Sequence, residues 1–364
     1  MAGIPREDVP LVLVTGASGY IATHVIQQLL SSGNYRVRGT IRSLKNEERV
    51  KALKELVPGA KYSLELCEAE LEDKESWVLA VKGCTYVFHI AAPVPPVIPR
   101  DPDEMSRPAI QGTLNVLSAC AGSGTVKKVI LTSSTMAISC GLAGHPDREN
   151  HIYTEEDFSI PEVCPPYERS KVLAEKAAWK FVDELPEKKF DLVVMNPGLT
   201  FGPIIVRSCG ASVDFVRAML AGDVPGAVDI TMMVIDVRDV ARAHIIAMEK
   251  PECIGKRYIL VAENNVHFRT VAEWIQDEFD PQGYKIGTMR IPKFVAWIIS
   301  KFNTSMRFIY PGIGKRLTLV NDRMIDELGI KPTPIRQSVI DTGYSLIEFG
   351  FVQKTDKYQG SSAT

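Results

Sequence analysis

The chain has 364 residues, long for one compact core and ample for a large α/β domain with a smaller lobe. Its 45% hydrophobic and 24% charged content is that of an ordinary globular protein, and a net charge of −2 gives no overall footprint for nucleic acid or an anionic membrane. Seven scattered cysteines, an odd count without any Cys-x-x-Cys spacing, read as reduced thiols of a cytoplasmic protein.

The first ten residues lack the cationic-then-apolar pattern of a signal peptide. Leu11–Thr15 is a short apolar run ended by Gly16, and residues 19–30 carry helical spacing closed by Gly33-Asn34. A strand over 35–41, a charged helix over 46–56, a strand over 62–66, a helix over 73–81 and a strand over 85–90 follow. Then come a long helix over 103–121, a strand over 128–132, a helix over 168–184 and a strand over 190–195. Apolar strands alternating with helices predict an α/β fold, a doubly wound parallel sheet with its ligand at the carboxyl ends of the strands.

After Pro203 the rhythm breaks. Residues 234–240 and 258–261 read as strands returning to the sheet. The intervals 204–233 and 265–350, with helices such as 270–279 and 321–328, predict a smaller C-terminal substrate lobe built from discontinuous pieces. Residues 1–203, with 234–264, therefore form the expected Rossmann domain, and 351–364 a flexible tail. Phe294–Ser300 is too short to span a bilayer and reads as a buried helix.

Thr15-Gly-Ala-Ser-Gly-Tyr-Ile-Ala22 joins the first strand to the first helix as Gly-x-x-Gly-x-x-Ala, a variant of the dinucleotide fingerprint. Gly16 permits the tight turn, Gly19 lets backbone amides approach a pyrophosphate at the positive helix end, and Ala22 keeps helix and strand close. Sites for NAD usually carry an acid after the second strand. This chain has Arg42 and Lys45 there, cations suited to a 2′-phosphate, so NADPH is the expected cofactor.

Of eleven tyrosines, only Tyr167 has a lysine four residues later, Lys171. On a helix the two share a face, and a nearby ammonium stabilises phenolate, tuning the phenol into a proton donor for a carbonyl. By itself this spacing also fits a surface tyrosine packed under a lysine stem. The glycine turn and the serine-tipped strand give it chemical weight. His24, His89 and His244 lack metal-ligand spacing and read as packed or capping histidines, so no metal is expected. Asp236-Val-Arg-Asp239 reads as a helix start, and Asn115 as a packing residue.

Together with Val37–Arg42, Val87–Pro93, Gly112–Leu117, Leu131–Ser134, Asn196–Gly198 and Asp236–His244, these motifs make residues 11–350 resemble the extended short-chain dehydrogenase/reductase family. The similar branch holds dihydroflavonol 4-reductases, cinnamoyl-CoA reductases and NADPH-dependent methylglyoxal, aldehyde and ketone reductases. The resemblance implies that Tyr167 donates the proton, that Lys171 lowers its pKa and holds the nicotinamide ribose, and that Ser134, rather than Ser133, bonds the carbonyl. It implies cofactor contacts from Gly16, Ser18, Gly19, Tyr20, Ile21, Arg42, Lys45, Glu70, Leu71, Ala91, Ala92, Pro93, Thr132, Pro197 and Gly198. Glu70 departs from the family's usual Asp.

Ser139 stands where flavonoid reductases carry Asn or a similar selecting residue, and the Asn-Trp-Tyr-Cys-Tyr motif of cinnamoyl-CoA reductases is absent, so neither specialisation is supported. Pro95, Thr135, Met136, Thr200, Phe201, Met232 and Phe308 are the expected walls of an apolar pocket for an aldehyde, ketone or steroid-like carbonyl. The expected protein is an NADP-dependent oxidoreductase, monomer or homodimer, acting on a small-molecule carbonyl without nucleic-acid or membrane partners. A nucleotide-sugar epimerase or dehydratase and a 3β-hydroxysteroid dehydrogenase-like enzyme are alternatives, and an NADPH-sensing scaffold is the non-enzymatic one.

Overall fold

In this computed structural model, residues 9–93, 101–146, 150–208 and 210–361 are described. Strands β1 (Leu11–Val14), β2 (Arg36–Ile41), β3 (Glu65–Glu68), β4 (Tyr86–His89) and β5 (Lys128–Thr132) join Asp191–Pro197 and Arg257–Leu260 in one sheet. Its order is β3-β2-β1-β4-β5, then Asp191–Pro197, then Arg257–Leu260, all parallel. The chain runs outward from β1 to β3 and crosses back to β4, so the topological switch lies between β1 and β4.

Alternation along β1 shows why both faces must be covered. Val12 and Val14 enter one apolar cluster with α1 (Tyr20–Ser32) and the helix Val237–Glu249, whereas Leu11 and Leu13 enter another. That second cluster includes residues of α3 (Lys74–Ala80), α4 (Pro102–Ser123) and the Tyr167 helix (Pro166–Asp183). Helix α2 (Glu47–Lys54) is capped by Asn46, whose side chain accepts from the Arg49 amide. Strand β3 begins three residues later than the apolar pattern suggests. Its register is held by charge, with Arg36 and Arg38 at 2.7 and 3.1 Å from Glu65 across the ladder.

Residues 257–260 do return to the central sheet, but 234–240 do not. Thr231–Asp236 pairs in parallel with Leu199–Phe201 and antiparallel with Glu263–His267 in a separate three-stranded sheet. Asp236 then caps the helix Val237–Glu249 by accepting from the Arg238 amide at 2.7 Å, which is the helix start read from the sequence. This small sheet, the helices Ala211–Leu220, Phe268–Phe279 and Ile335–Glu348, and their common apolar cluster build the lobe. The sequence reading did not single out Ile335–Glu348. Gly343 within it lets the Phe279 ring approach, since an added Cβ would lie 2.6 Å from the ring.

The segment after residue 350, expected to fray, docks on the lobe as far as 361. Val352 is buried, Tyr358 bonds Glu348 at 2.8 Å, and the Gln359 amide donates to Gln282 at 3.2 Å.

Candidate functional site

The turn after β1 is assembled from backbone contacts that larger residues would block. Gly16 has φ +67°, and a Cβ there would meet the Ala91 Cβ at 3.1 Å. The Gly16 and Ala17 amides donate to Thr40, and Thr15 Oγ1 accepts from the Ile90 and Ala91 amides at 3.0 and 2.9 Å. These bonds pin Ala91, Ala92 and Pro93 beside the turn. No side chain caps the start of α1 and no acid lies in its first turn, so its positive end is left for an anion. Gly39 on β2, not weighed in the sequence reading, is equally required, because a Cβ would lie 2.6 Å from that of Ala17.

Past β2, Arg42 and Lys45 are exposed, and neither forms an ion pair among the described residues. Glu68 accepts from the Leu44 amide at 2.7 Å and shapes this loop. Glu70 is exposed with its amide bonded to Ser76, while the Leu71 carbonyl accepts from Asn115 Nδ2 at 2.8 Å. The turn, the open helix end and the two free cations fit a dinucleotide bearing a 2′-phosphate.

Ser134 follows β5, and Tyr167 lies in the first turn of its helix, which opens with Pro166. The Ser134 hydroxyl stands beside the Tyr167 phenol and draws its pKa down, and it accepts from the Met136 amide at 3.2 Å. The Lys171 ammonium lies 5.8 Å from the centroid of the Tyr167 ring. One concavity is lined by Ala91, Ala92, Pro93, Thr132, Ser133 and Lys171, which joins the turn side of the cleft to the lysine.

The expected depression of the Tyr167 pKa is not what the structure gives. Burial pushes the phenol up to about 12, the neighbouring Glu168 pushes it the same way, and only the nearby Ser134 hydroxyl opposes them. Lys171 is itself desolvated, its pKa pulled down to about 8, with Glu175 opposing the fall. Glu168 is buried as well and is pushed up to about 7.

A buried charge network behind the site escaped the sequence reading. Glu175 follows Lys171 by four residues, so it shares that helix face, and this spacing was the available signal. Its Oε1 accepts from Arg257 Nε at 2.6 Å, and its Oε2 accepts from the Ser133 hydroxyl at 2.5 Å and from Asn196 Nδ2 at 2.9 Å. The Arg257 guanidinium lies 3.8 Å from the Phe158 ring centroid and donates to the Glu155 and Asp157 carbonyls at 2.6 Å each. Asn196 Nδ2 also donates to the Ser134 carbonyl at 3.1 Å. Ser133 is thus committed to Glu175, while Ser134 faces Tyr167.

His24, His89 and His244 are packed. His244 Nδ1 lies 2.7 Å from the Val240 carbonyl and Nε2 2.7 Å from Thr132 Oγ1. His24 meets the Pro203 carbonyl, and His89 meets Thr15. Thr132 therefore has its hydroxyl engaged behind the sheet. Among the described residues no cluster of His, Cys, Asp and Glu could hold a metal ion.

On the substrate side, Pro95 lies outside the described residues. Thr135, past the end of β5, and Thr200, in the middle of Leu199–Phe201, are buried, with the Thr135 amide bonded to the Pro197 carbonyl and the Thr200 hydroxyl to the Gly198 carbonyl. Met136 and Phe308 are half-buried. Phe201 and Met232, expected in the pocket wall, belong instead to the core of the lobe, where Phe201 packs beside Phe215. The small sheet turns these two side chains inward. Ser139 is fully buried, bonded to the Thr135 and Gly141 carbonyls, and cannot select a substrate directly. Gly198 lies so close to the Met233 carbonyl, 2.4 Å from an added Cβ, that a side chain there would part the two sheets.

Residues 12–261 match the NAD dependent epimerase/dehydratase family. Cinnamoyl-CoA reductase 1 of Petunia hybrida is 35% identical over 345 residues, covering 93% of each chain. Dihydroflavonol 4-reductase of Zea mays is 32% identical over 286 residues, 76% of each. The crystal structure of Gre2 from Candida albicans in complex with NADPH superposes with a TM-score of 0.74 at 28% identity, over 94% of this chain and 99% of that one.

Proposed function

The chain belongs to the NAD-dependent epimerase/dehydratase family, and from that premise we propose that Ser134, Tyr167 and Lys171 carry the reduction of a carbonyl to an alcohol with NADPH. The reductase relatives and the NADPH-bound neighbour support carbonyl reduction as the chemistry and NADPH as the cofactor. The observation that carries the site assignment is the convergence of three groups: the Ser134 hydroxyl stands near enough to the Tyr167 phenol to draw its pKa down, and the Lys171 ammonium lies 5.8 Å from the Tyr167 ring centroid.

The cofactor supplies the hydride. Gly16, Ser18, Gly19, Tyr20 and Ile21 would hold its pyrophosphate on the open end of α1, and Arg42 and Lys45 its 2′-phosphate. Glu70 and Leu71 would flank the adenine, and Ala91, Ala92, Pro93, Thr132, Pro197 and Gly198 the nicotinamide side. With its pKa near 12, Tyr167 is fully protonated at neutral pH and ready to donate. Ser134 holds the carbonyl oxygen beside that phenol. As the proton leaves, the new phenolate is stabilised by Ser134 and by the Lys171 ammonium, whose charge Glu175 supports. Ser133 and Arg257 act one layer back, by fixing Glu175.

The substrate is a small aldehyde or ketone entering from the lobe, bounded by Thr135, Met136, Thr200 and Phe308. Incubation with NADPH and a panel of aldehydes, diketones, flavonoids and sugar nucleotides, with product analysis, tests this reading. Consumption of NADPH with alcohol formation is expected. Isomerised sugar nucleotides with retained NAD would overturn it in favour of epimerase chemistry.

A further inference from the structure

The net charge of −2 conceals a strongly uneven distribution. Residues 281–321 contain seven Lys and Arg and no Asp or Glu. All seven, Lys285, Arg290, Lys293, Lys301, Arg307, Lys315 and Arg316, are exposed. Among the described residues only Arg316 of this set forms an ion pair, with Asp229 at 2.6 Å.

Large apolar side chains stand among these cations. The helix Lys293–Ser300, expected to be buried, buries only Ala296 and Ser300. Phe294 is 68% exposed, Trp297 and Ile298 49%, and Phe302, just past the helix, 89%. Positions 294, 297, 298, 301 and 302 fall on one face at helical spacing, opposite Ala296 and Ser300. Met289, 71% exposed, precedes that helix beside Arg290. Lys293 and Lys301 bracket the apolar face, and the Lys301 ammonium lies 4.8 Å from the Trp297 ring centroid. Arg307 donates to the Ser300 and Lys301 carbonyls, which brings a second cation to the C-terminal end of that helix.

An exposed patch mixing aromatic and aliphatic side chains with unpaired cations matches an interfacial helix. Apolar rings insert at the boundary between headgroups and acyl chains, and lysine stems keep their ammonium groups at the anionic headgroups. A protein partner would have to be acidic and apolar at the same time, whereas an anionic bilayer offers both properties at its surface. No described helix is long and apolar enough to cross a membrane, so the contact is peripheral.

We propose that the face formed by Met289, Phe294, Trp297, Ile298 and Phe302, rimmed by Arg290, Lys293, Lys301 and Arg307, docks this protein on an anionic lipid surface. This departs from the absence of a membrane partner suggested by net charge alone, because only the local charge acts within a Debye length of a surface.

The test is flotation of the full chain with vesicles of phosphatidylcholine alone and of phosphatidylcholine mixed with phosphatidylserine, at low and high salt. Recovery with the anionic vesicles at low salt, reduced by high salt and by omission of phosphatidylserine, is expected. Trp297 is the one exposed tryptophan among the described residues, so tryptophan emission should shift to the blue on binding. Lys293→Gln and Lys301→Gln should each weaken partitioning about fivefold. The double variant Trp297→Ser/Phe302→Ser should abolish flotation and leave the melting temperature and NADPH consumption unchanged. Failure of the wild type to float at low salt, or equal flotation of the double variant, would overturn the proposal. A concentration-dependent dimer that is lost in the double variant, without lipid binding, would assign the face to a second copy instead.

Discussion

Arg257→Met should couple a loss of stability to a shift in the pH dependence of turnover. In the wild type, Glu175 is shut off from solvent and receives one charged donor, Arg257 at 2.6 Å, with neutral donors from Ser133 and Asn196. Methionine fills much of the arginine's volume but removes the charge and frees the Glu155 and Asp157 carbonyls that Arg257 satisfies. Breaking a buried pair on one side costs about 3–5 kcal/mol, because the remaining charge is uncompensated. The Glu175 carboxylate is then no longer held in place by Arg257, and its support of the Lys171 charge weakens. Lys171, already pulled down to about 8, should fall further, so the alkaline limb of kcat/KM moves to lower pH. Urea denaturation reads the first effect and a pH–rate profile the second. Glu175→Gln/Arg257→Met should recover part of the stability, since no lone charge remains, without restoring the limb. A loss below about 1 kcal/mol with an unmoved limb would refute the network's role.

Arg42→Ala should weaken NADPH by about 1.5–3 kcal/mol and leave NADH almost unchanged, as titration of both cofactors would show, and equal losses would remove Arg42 from the 2′-phosphate site. Ser134→Ala should lower kcat roughly 10²-fold. Ser133→Ala should mainly destabilise, by about 1.5–3 kcal/mol, because it removes one of two donors to a buried Glu175 carboxylate oxygen, and a reversed ranking in paired kinetics and melts would exchange the two serines. Burial holds His24 at about 4 against 6.5 in the unfolded chain, so below pH 6.5 the unfolded state binds the extra proton and stability falls on acidification. His24→Gln, compared with wild type at pH 7 and pH 5, should therefore lose about 2 kcal/mol less on acidification, and an equal loss would contradict the assignment.

The central sheet was legible because its strands are short, apolar and punctuated by glycine, and each β–α repeat announces itself locally. The lobe was not, for reasons visible in single residues. Thr231–Asp236 is as apolar as a central strand, but its pairing partners lie at 199–201 and 263–267, which no local pattern reveals. Gly343 reads as a helix breaker until the Phe279 ring is seen against it. In the candidate site, the Tyr167–Lys171 pair could be read from its spacing once the glycine turn and the serine-tipped strand gave it context. The sign of the tyrosine's shift could not, since it depends on how far burial outweighs a lysine that is itself desolvated. Glu175 could have been found four residues beyond Lys171, whereas Arg257 and Asn196 come from distant strands. Phe201 and Met232 were misplaced because a neighbour of the site in sequence can still point into the core.

The most direct measurement is the rate of NADPH consumption with a reducible aldehyde or ketone by the wild type and by Tyr167→Phe, alongside NADPH binding by each. Phenylalanine keeps the ring and its packing and removes only the hydroxyl that donates the proton beside Ser134. Turnover should fall roughly 10²–10⁴-fold while NADPH binds with near-normal affinity. A Tyr167→Phe enzyme that still reduces the carbonyl at the wild-type rate would show that the proton comes from elsewhere.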